Sequence, residues 1–318
     1  MTMRRTAGSF RGRCGVGVAA LALLSSVAVA AAAPSSFPEP PFRDRLLPNR
    51  AVRVSEHVWS IVGFPNIGIV VGSNATLVVD TGLGARNGAT VAAVAKRLAP
   101  KNRLILTTTH SHPEHVGGVR GFPPGTYLIR NVAQQQELDA QGENMIAIFA
   151  SQNPQWHALL AGEQLRAPDE TFEREKRLDL GGGVTVRLMW LGPTHTKGDE
   201  VTFVEPDRTL ITGDVVQNRT GPYIYGEAGT PESWIAVLDE LATLKARHVL
   251  PDHSPAGDGT LVTCQRALLI EIRDRALALK QQGKTAEQAG AELTAEFQRK
   301  YPTYRIDDVT GFIASEFR

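Results

Sequence analysis

The chain has few cysteines and almost no net charge, and each shortage excludes a class of protein. Its only cysteines are Cys14 and Cys264 among 318 residues. We expect Cys14 to leave with an N-terminal signal, so Cys264 would stand alone and the mature chain could form no internal disulfide. The formal charge is +1, and it falls to −3 without the four arginines of the first 33 residues. A mildly acidic body argues against nucleic acid as the main partner.

The first 33 residues have the pattern of a secretory signal. They contain four arginines and no acidic residue, followed by an apolar run over residues 16–33. The run ends in alanine-rich triplets, which predicts cleavage near Ala30 to Ala33. The alternative is a membrane anchor, because the run is close to spanning length. We favour cleavage, which predicts a periplasmic or secreted protein without membrane contact afterwards.

The remaining sequence divides into three parts. Residues 34–50 are rich in proline and arginine and predict an extended lead-in. Residues 51–260 alternate between strand and helix patterns and predict one domain. Residues 261–318 predict a C-terminal helical extension, packed on the same domain, with helices over 261–282, 285–300 and 307–317. The region 140–170 is ambiguous, and it contains Trp156 in a segment that could act as a lid.

Within the predicted domain, two halves share one plan. The first half has four short strand patterns between residues 52 and 79, a helix over 87–98 and a buried strand over 104–108. The second half has strand patterns from residue 178 to 211, a helix over 231–245 and a strand over 248–250. In each half, a strand that follows a helix ends at candidate metal ligands. The four strands of the first half predict an antiparallel meander.

The segment from His110 to His115 is the most informative part of the chain. It places His110, His112, Glu114 and His115 within six positions. Imidazole is the commonest metal ligand among side chains, and alternate residues of an extended loop share one face, so His110 and His112 can point to one ion. Pro113 then bends the chain, which directs Glu114 and His115 to a second ion. The alternative is a solvated polar loop, which the downstream sequence makes improbable.

Three more candidate ligands follow strand patterns downstream. His195 lies in Gly-Pro-Thr-His-Thr, Asp214 follows Thr-Gly, and His253 lies in Pro-Asp-His-Ser. Five of the eight histidines belong to these motifs, whereas His57, His157 and His248 lack such a setting. No cysteine is near them, so nitrogen and oxygen must hold any metal, which suits zinc and also iron or manganese.

The order of these motifs resembles that of the metallo-β-lactamase-fold hydrolases. The likeness extends from about Val58 to His253 and includes an Asp-Thr-Gly turn at Asp80. It implies an α/β (α+β) fold, a four-layer αββα sandwich of two similar halves. It also implies that His110, His112 and His195 bind a first Zn²⁺, and that Glu114, His115 and His253 bind a second, with Asp214 bridging. Two ions are favoured over one.

Two departures from familiar members bear on function. The family usually has aspartate where this chain has Glu114, which therefore either binds the second ion or acts only as a base. The clinically familiar β-lactamases have cysteine or serine in place of Asp214, whereas aspartate is typical of the wider family, including glyoxalase II and lactonases. The fold alone therefore does not establish a drug substrate.

The expected chemistry is hydrolysis by hydroxide that the metal activates. Zinc lowers the pKa of bound water to about 7. We expect attack on a carbonyl of a small-molecule substrate, with Glu114 or Asp214 as the catalytic groups that orient water and move its proton. The leading prediction is β-lactamase-like hydrolysis of a cyclic amide or ester. A lactonase or a glyoxalase II-like thioesterase is the enzyme alternative, and an iron-dependent redox protein or a non-catalytic metal-binding protein are the others.

The sequence says less about specificity. Lys197 lies two residues after His195 and could bind a substrate carboxylate, although such a lysine is more often solvated. The aromatic residues Phe64, Trp156, Tyr223 and Tyr225 could line the pocket or serve packing. The oligomeric state is left open by the sequence.

Overall fold

Two β-sheets organise the protein in the computed structural model, which describes residues 37–40, 45–224 and 228–318. The predicted signal over residues 1–33 lies outside the described residues, as do parts of the lead-in and Tyr225. Across the described ranges, every helix is either too short or too polar to cross a bilayer.

The first sheet contains seven strands in sequence order. They are β1 (Val52–Arg53), β2 (Val58–Ile61), β3 (Ile67–Val71), β4 (Ala75–Val79), β5 (Arg103–Thr107), β6 (Tyr127–Asn131) and β7 (Glu170–Phe172). The helices of this half are α1 (Ala85–Leu98), α2 (Pro113–Val116), a 3-10 turn (Val119–Gly121), α3 (Val132–Gln152) and α4 (Pro154–Leu160). The first four strands pair antiparallel, which confirms the predicted meander. The later strands add in parallel.

The second sheet contains five strands in the order β12-β11-β10-β9-β8. They are β8 (Glu175–Asp179), β9 (Thr185–Met189), β10 (Val201–Val204), β11 (Thr209–Gly213) and β12 (His248–Pro251). Helix α5 (Pro231–Thr243) connects β11 to its parallel neighbour β12. The chain ends with α6 (Thr260–Gln281), α7 (Ala286–Lys300), α8 (Thr310–Ile313) and a 3-10 turn (Ala314–Phe317).

The alternation of side chains along the strands builds four layers. Leu77 of β4 and Ile105 of β5 pack in the cluster between the two sheets. Their neighbours Val78 and Leu106 point to the opposite face and pack with α1. The outer face of the second sheet packs against α5, α6 and α7 in one apolar cluster. This is the predicted αββα sandwich.

The structure shows helices in the segment that the sequence left ambiguous, and it divides one predicted helix. The ambiguous region 140–170 contains most of α3 and all of α4. Pro154 separates the two helices because a proline disfavours helical backbone in the residue before it, and Asn153 is extended and caps Trp156. The single helix predicted over 307–317 is shorter and divided. Asp308 accepts hydrogen bonds from the backbone and hydroxyl of Thr310, which starts the helix there.

The parallel strand pairs determine where the candidate ligands meet. Strands β4 and β5 are parallel neighbours in the first sheet, and β11 and β12 are parallel neighbours in the second. Parallel neighbours end at the same edge of a sheet. Asp80, the His110 loop, Asp214 and His253 all follow the carboxyl ends of these four strands, and the sandwich brings the two edges together.

Candidate metal centre

Three imidazoles converge at the end of β5. The Nε2 atom of His110 is 3.1 Å from Nδ1 of His112, which is 3.3 Å from Nε2 of His195. All three residues are buried. His110 and His112 come from one loop, whereas His195 follows β9 in the other half of the molecule. The predicted first ligand group therefore forms in space, with one nitrogen of each ring facing a common point.

A second group lies beside the first and contains the glutamate. The Oε1 atom of Glu114 is 3.8 Å from Nε2 of His115 and 3.9 Å from Nε2 of His253. One ligand atom from each of these residues lies within 4.8 Å of the others. The extra methylene of glutamate therefore does not prevent the carboxylate from reaching the group that the family usually completes with aspartate.

Asp214 lies between the two groups. Its Oδ2 atom is 3.2 Å from Nε2 of His195 and 4.0 Å from Nε2 of His110. Its other oxygen, Oδ1, is 3.5 Å from Nε2 of His253. Each carboxylate oxygen thus faces a different set of imidazoles, which is the arrangement that a bridging ligand requires.

The residues present fit one or two divalent cations. Glu114 Oε2 and His115 Nε2 are buried and have no hydrogen-bond partner. Buried polar atoms are normally satisfied, and atoms that await an ion are one explanation of an exception. The seven side chains offer five imidazoles and two carboxylates, a donor set suited to zinc and also to iron or manganese.

The electrostatics of the cluster favour metal binding at neutral pH. Burial and the neighbouring imidazoles lower the pKa of His110 and His112 well below the ordinary value. Burial also lowers the pKa of His253, to about 3. Burial opposes the charge of Asp214, but His253 and His195 hold the pKa of its carboxyl below the usual range. The three rings therefore keep free lone pairs, and Asp214 stays anionic.

His115 has a different environment, because two carboxylates contact its Nδ1 atom, on the side of the ring away from the cluster. Its Nδ1 atom is 3.1 Å from Oδ2 of Asp80 and 3.3 Å from Oδ2 of Asp252. Burial works against protonation, but Asp80 and Asp252 raise the pKa of His115 well above its ordinary value. Asp80 also accepts hydrogen bonds from the backbone and hydroxyl of Thr109. These contacts fix the ring with Nε2 facing the second group, as such partners commonly do for metal-bound histidines.

The sequence analysis did not assign a role to Asp252. Its position directly before His253, at the end of a strand parallel to β11, was the available signal. We predict that Asp252→Asn weakens zinc binding by about 10–100-fold, the usual effect of removing such a partner. Competition with a chromophoric chelator measures this affinity, and Asp258→Asn on an exposed turn is the matched control. Equal affinity in the two variants would show that Asp252 does not position His115.

A separate network holds His195. Its Nδ1 atom is 2.5 Å from the backbone oxygen of Tyr223, which leaves Nε2 for the cluster. The buried carboxylate of Asp199 accepts hydrogen bonds from the hydroxyls of Thr194 and Thr196 and from the Thr196 backbone. The two threonines that flank His195 in sequence therefore bind Asp199 and shape the loop.

A comparison of the sequence with known protein families gives a match that contains the candidate ligands. Residues 61–253 match the model of the metallo-beta-lactamase superfamily. The chain belongs to this superfamily. The matched segment includes all seven predicted ligands, the whole second sheet and the first sheet from β3 onward, and it makes the protein a hydrolase by family.

Curated relatives in the superfamily act on different substrates. The linear primary-alkylsulfatase of Pseudomonas sp. (strain ATCC 19151) is 24% identical over 248 residues, which are 67% of this chain and 46% of that protein. The acyl-coenzyme A thioesterase MBLAC2 of Homo sapiens is 28% identical over 223 residues, 63% of this chain and 76% of that protein.

Solved structures share the same fold at low identity. The sec-alkylsulfatase Pisa1 from Pseudomonas sp. aligns with a TM-score of 0.66 at 16% identity, over 84% of this chain and 49% of that one. The metallo-beta-lactamase from Pontibacter korlensis aligns with a TM-score of 0.56 at 20% identity, over 70% and 98%. The chain thus spans about half the length of the alkylsulfatases that it matches.

The cluster of seven candidate ligands opens into a pocket of about 330 Å³. Its apolar wall comprises Phe64, Phe149, Tyr223 and Trp234. The ring of Phe64 stacks on His253 with the centroids 4.0 Å apart. Trp156, the other described aromatic candidate, instead stacks on Phe149 at 5.4 Å. Phe64 and Tyr223 are therefore pocket residues, and Trp156 supports the wall from behind.

Lys197 does not contribute to this pocket. Its side chain is exposed, and it is not among the lining residues. Its backbone N–H donates to Glu137, and its carbonyl accepts a hydrogen bond from Nε1 of Trp190. These bonds leave the lysine side chain in solvent, so the structure does not bring Lys197 together with the cluster as the sequence analysis expected. Among the described residues, Arg305, which lies between α7 and α8, is an arginine that lines the pocket.

Proposed function

We propose that the protein is an exported, zinc-dependent hydrolase that uses two ions to cleave a small-molecule carbonyl compound. The observation that carries this proposal is the position of Asp214, with one oxygen facing each ligand group. Such a carboxylate suits a two-ion site. The N-terminal signal pattern supports export, and the donor set of imidazoles and carboxylates supports zinc.

Each of the two ligand groups would hold one ion. His110, His112 and His195 would hold the first ion, and Glu114, His115 and His253 the second, with Asp214 bridging. Bound zinc would supply hydroxide at neutral pH and Lewis acidity toward a carbonyl oxygen. No side chain of the chain is needed as a nucleophile.

Side chains of the pocket would orient the water molecule, move its proton and contact the substrate. Asp214 is anionic and lies at the floor of the pocket, where it can orient a water molecule and accept its proton. Glu114 is the second candidate for this role, because its carboxyl lines the same pocket, and burial raises the pKa of this carboxyl. The aromatic wall offers an apolar surface to the substrate.

The pocket suits a compact substrate with an apolar part. Hydrolysis of a cyclic amide or ester, as in β-lactams, is our leading assignment, and a lactone or thioester is the alternative within the same chemistry. A sulfate ester is a second candidate. The alkylsulfatase Pisa1 aligns over 84% of this chain, whereas the β-lactamase from Pontibacter korlensis aligns over 70%.

Parallel assays of the zinc-loaded protein distinguish these substrates. The panel comprises nitrocefin, a homoserine lactone, a glutathione thioester, an acyl-coenzyme A and a linear alkyl sulfate. We expect the highest kcat/KM for a carbonyl substrate, with nitrocefin first. Turnover of the alkyl sulfate alone would replace the leading assignment with the second candidate. A protein that hydrolyses none of the five would contradict the proposed function.

A further inference from the structure

A glutamine joins the bridging carboxylate to the loop of His253. Gln217 lies three residues after Asp214, in the loop that follows β11, and it is a buried residue of the pocket lining. Its Nε2 atom donates to Oδ1 of Asp214 at 2.6 Å and to the backbone oxygen of Gly213 at 3.3 Å. Its Oε1 atom accepts from the hydroxyl of Ser254 at 2.6 Å. One side chain therefore contacts both the bridging residue and the loop that carries a ligand of the second group.

The hydrogen-bond network determines which end of the Gln217 amide faces Asp214. An ionised carboxylate only accepts hydrogen bonds, so the amide atom 2.6 Å from Asp214 must be the nitrogen. The hydroxyl of Ser254 accepts from the backbone N–H of Asn218 at 2.7 Å, which leaves its own proton for the Gln217 oxygen. Both ends of the amide thus have suitable partners, whereas the reverse orientation would place an amide oxygen against the carboxylate.

The hydroxyl of Ser254 has a fixed position, because the other sheet holds its segment. Asn66, in the turn between β2 and β3, is fully buried. Its side-chain amide donates to the carbonyls of Pro251 and Ser254, both at 2.9 Å. Its backbone N–H donates to the carbonyl of Asp252 at 2.7 Å. The pocket glutamine is therefore attached to a segment that three hydrogen bonds hold to the first sheet.

The oxygen that Gln217 contacts is the one that faces the second ligand group. Oδ1 of Asp214 is 3.5 Å from Nε2 of His253, whereas Oδ2 is 3.2 Å from Nε2 of His195. The last torsion of an aspartate is broad, so the carboxylate could rotate until both oxygens served one ion. A charge-assisted hydrogen bond to Oδ1 opposes that rotation.

We propose that Gln217 is a positioning residue for the second metal ion. It keeps Asp214 in the bridging orientation and aligns the carboxylate with the loop of His253, so its loss weakens binding of the second ion. The first ion has three imidazoles of its own and depends on Gln217 far less. This inference rests on the proposed function and deepens it, because it names a residue that determines whether the site holds one ion or two.

Zinc titration of metal-free Gln217→Met tests this role. Methionine is similar in size, but it cannot donate a hydrogen bond to the carboxylate. Calorimetric titration, with elemental analysis of the bound metal, gives an affinity for each ion. We expect Kd for the second ion to rise by about 10–100-fold, the usual effect of removing a partner of a metal ligand, and Kd for the first to change by less than about twofold. Equal weakening of both ions, or of neither, would overturn the proposal.

Ser254→Ala tests the same role from the other end of the network. It removes the hydroxyl that orients the Gln217 amide but leaves the amide in place. Kd for the second ion should rise by about two- to tenfold, in keeping with the loss of one neutral hydrogen bond. The double variant should bind the second ion no more weakly than Gln217→Met alone, because both substitutions break one linkage. Strict additivity of the two effects would contradict the proposal.

Two control variants assign the effects. His253→Ala removes a ligand of the second group and therefore identifies the titration step that belongs to the second ion. Gln265→Met makes the same exchange at a glutamine that is buried in α6 and is not among the residues lining the pocket, so both affinities should equal those of the original protein. Thermal unfolding of each metal-free variant tests folding.

These affinities require no turnover, so they test the role of Gln217 separately from the proposed hydrolysis. If the original protein and Gln217→Met bind two ions equally well, Gln217 is not a positioning residue, whatever the substrate panel shows. If the second ion depends on Gln217 but none of the five substrates is cleaved, the positioning role stands and the assigned chemistry is wrong. An original protein that binds only one ion would overturn the positioning role, and the substrate panel would then decide the hydrolytic function alone.

Discussion

Removal of metal is expected to reduce hydrolysis by at least about 10³-fold, and added zinc is expected to restore it. The reason is that the cluster supplies ligands rather than a nucleophile. Without an ion, ordinary water in the pocket has a pKa of about 15.7, against about 7 when zinc binds it. Asp214 alone cannot offset this difference, because a carboxylate can orient water and accept its proton but does not lower the pKa of that water.

The same treatment should also change stability. A ligand that binds only the folded state adds about 4 kcal/mol when its concentration is 1,000 times its Kd. Zinc should therefore raise the unfolding temperature of the metal-free protein by several degrees or more. The measurements are turnover and thermal unfolding after dialysis against a chelator, with the residual metal determined by elemental analysis. Undiminished turnover in protein shown to lack metal would falsify the hydrolytic mechanism.

Asp214→Asn is expected to have the largest effect of any conservative substitution in the site. The amide keeps the shape of the side chain, but it loses the negative charge and offers only one oxygen. The first ligand group would keep its three imidazoles, so one ion should remain bound. We expect kcat/KM to fall by about 10²–10³-fold, comparable to the loss of one key electrostatic contact in an active site.

Metal content distinguishes this explanation from simple misfolding. The variant should bind one zinc ion for each chain where the original protein should bind two, and its far-ultraviolet circular dichroism should be unchanged. Glu114→Asp is the matched carboxylate control, because it restores the residue usual in the family and should retain most activity. If Asp214→Asn keeps two ions and full activity, Asp214 is not a bridging ligand.

The sequence predicted much of this site because the important signals are local. His110, His112, Glu114 and His115 lie on one loop, and their spacing alone indicates a shared centre. His195, Asp214 and His253 could be added because each follows a strand pattern. The ends of parallel strands meet at one edge, and the structure shows these side chains within a few ångströms of one another.

The residues that the sequence analysis missed act through contacts across the fold. Asp252 holds His115 from a distant strand, and Asp199 organises the His195 loop through two threonines. The backbone carbonyl of Tyr223 has no sequence signature at all. Arg305 reaches the pocket only because the C-terminal segment pairs with residues 219–221.

Lys197 illustrates what distance along the sequence does not reveal. Its nearness to His195 in sequence suggested a role in the pocket, but direction is set by backbone hydrogen bonds that sequence distance does not reveal. The loop presents His195 to the cluster and Lys197 to solvent. Proximity along the chain therefore does not determine which of two nearby side chains faces the cluster.

Anomalous diffraction at the zinc absorption edge, from crystals of the zinc-loaded protein, tests the central claim most directly. The account predicts two anomalous peaks. One should lie among His110, His112 and His195, the other among Glu114, His115 and His253, with Asp214 between them. A fully loaded crystal with no peak at this cluster, or with zinc bound only elsewhere, would contradict the account.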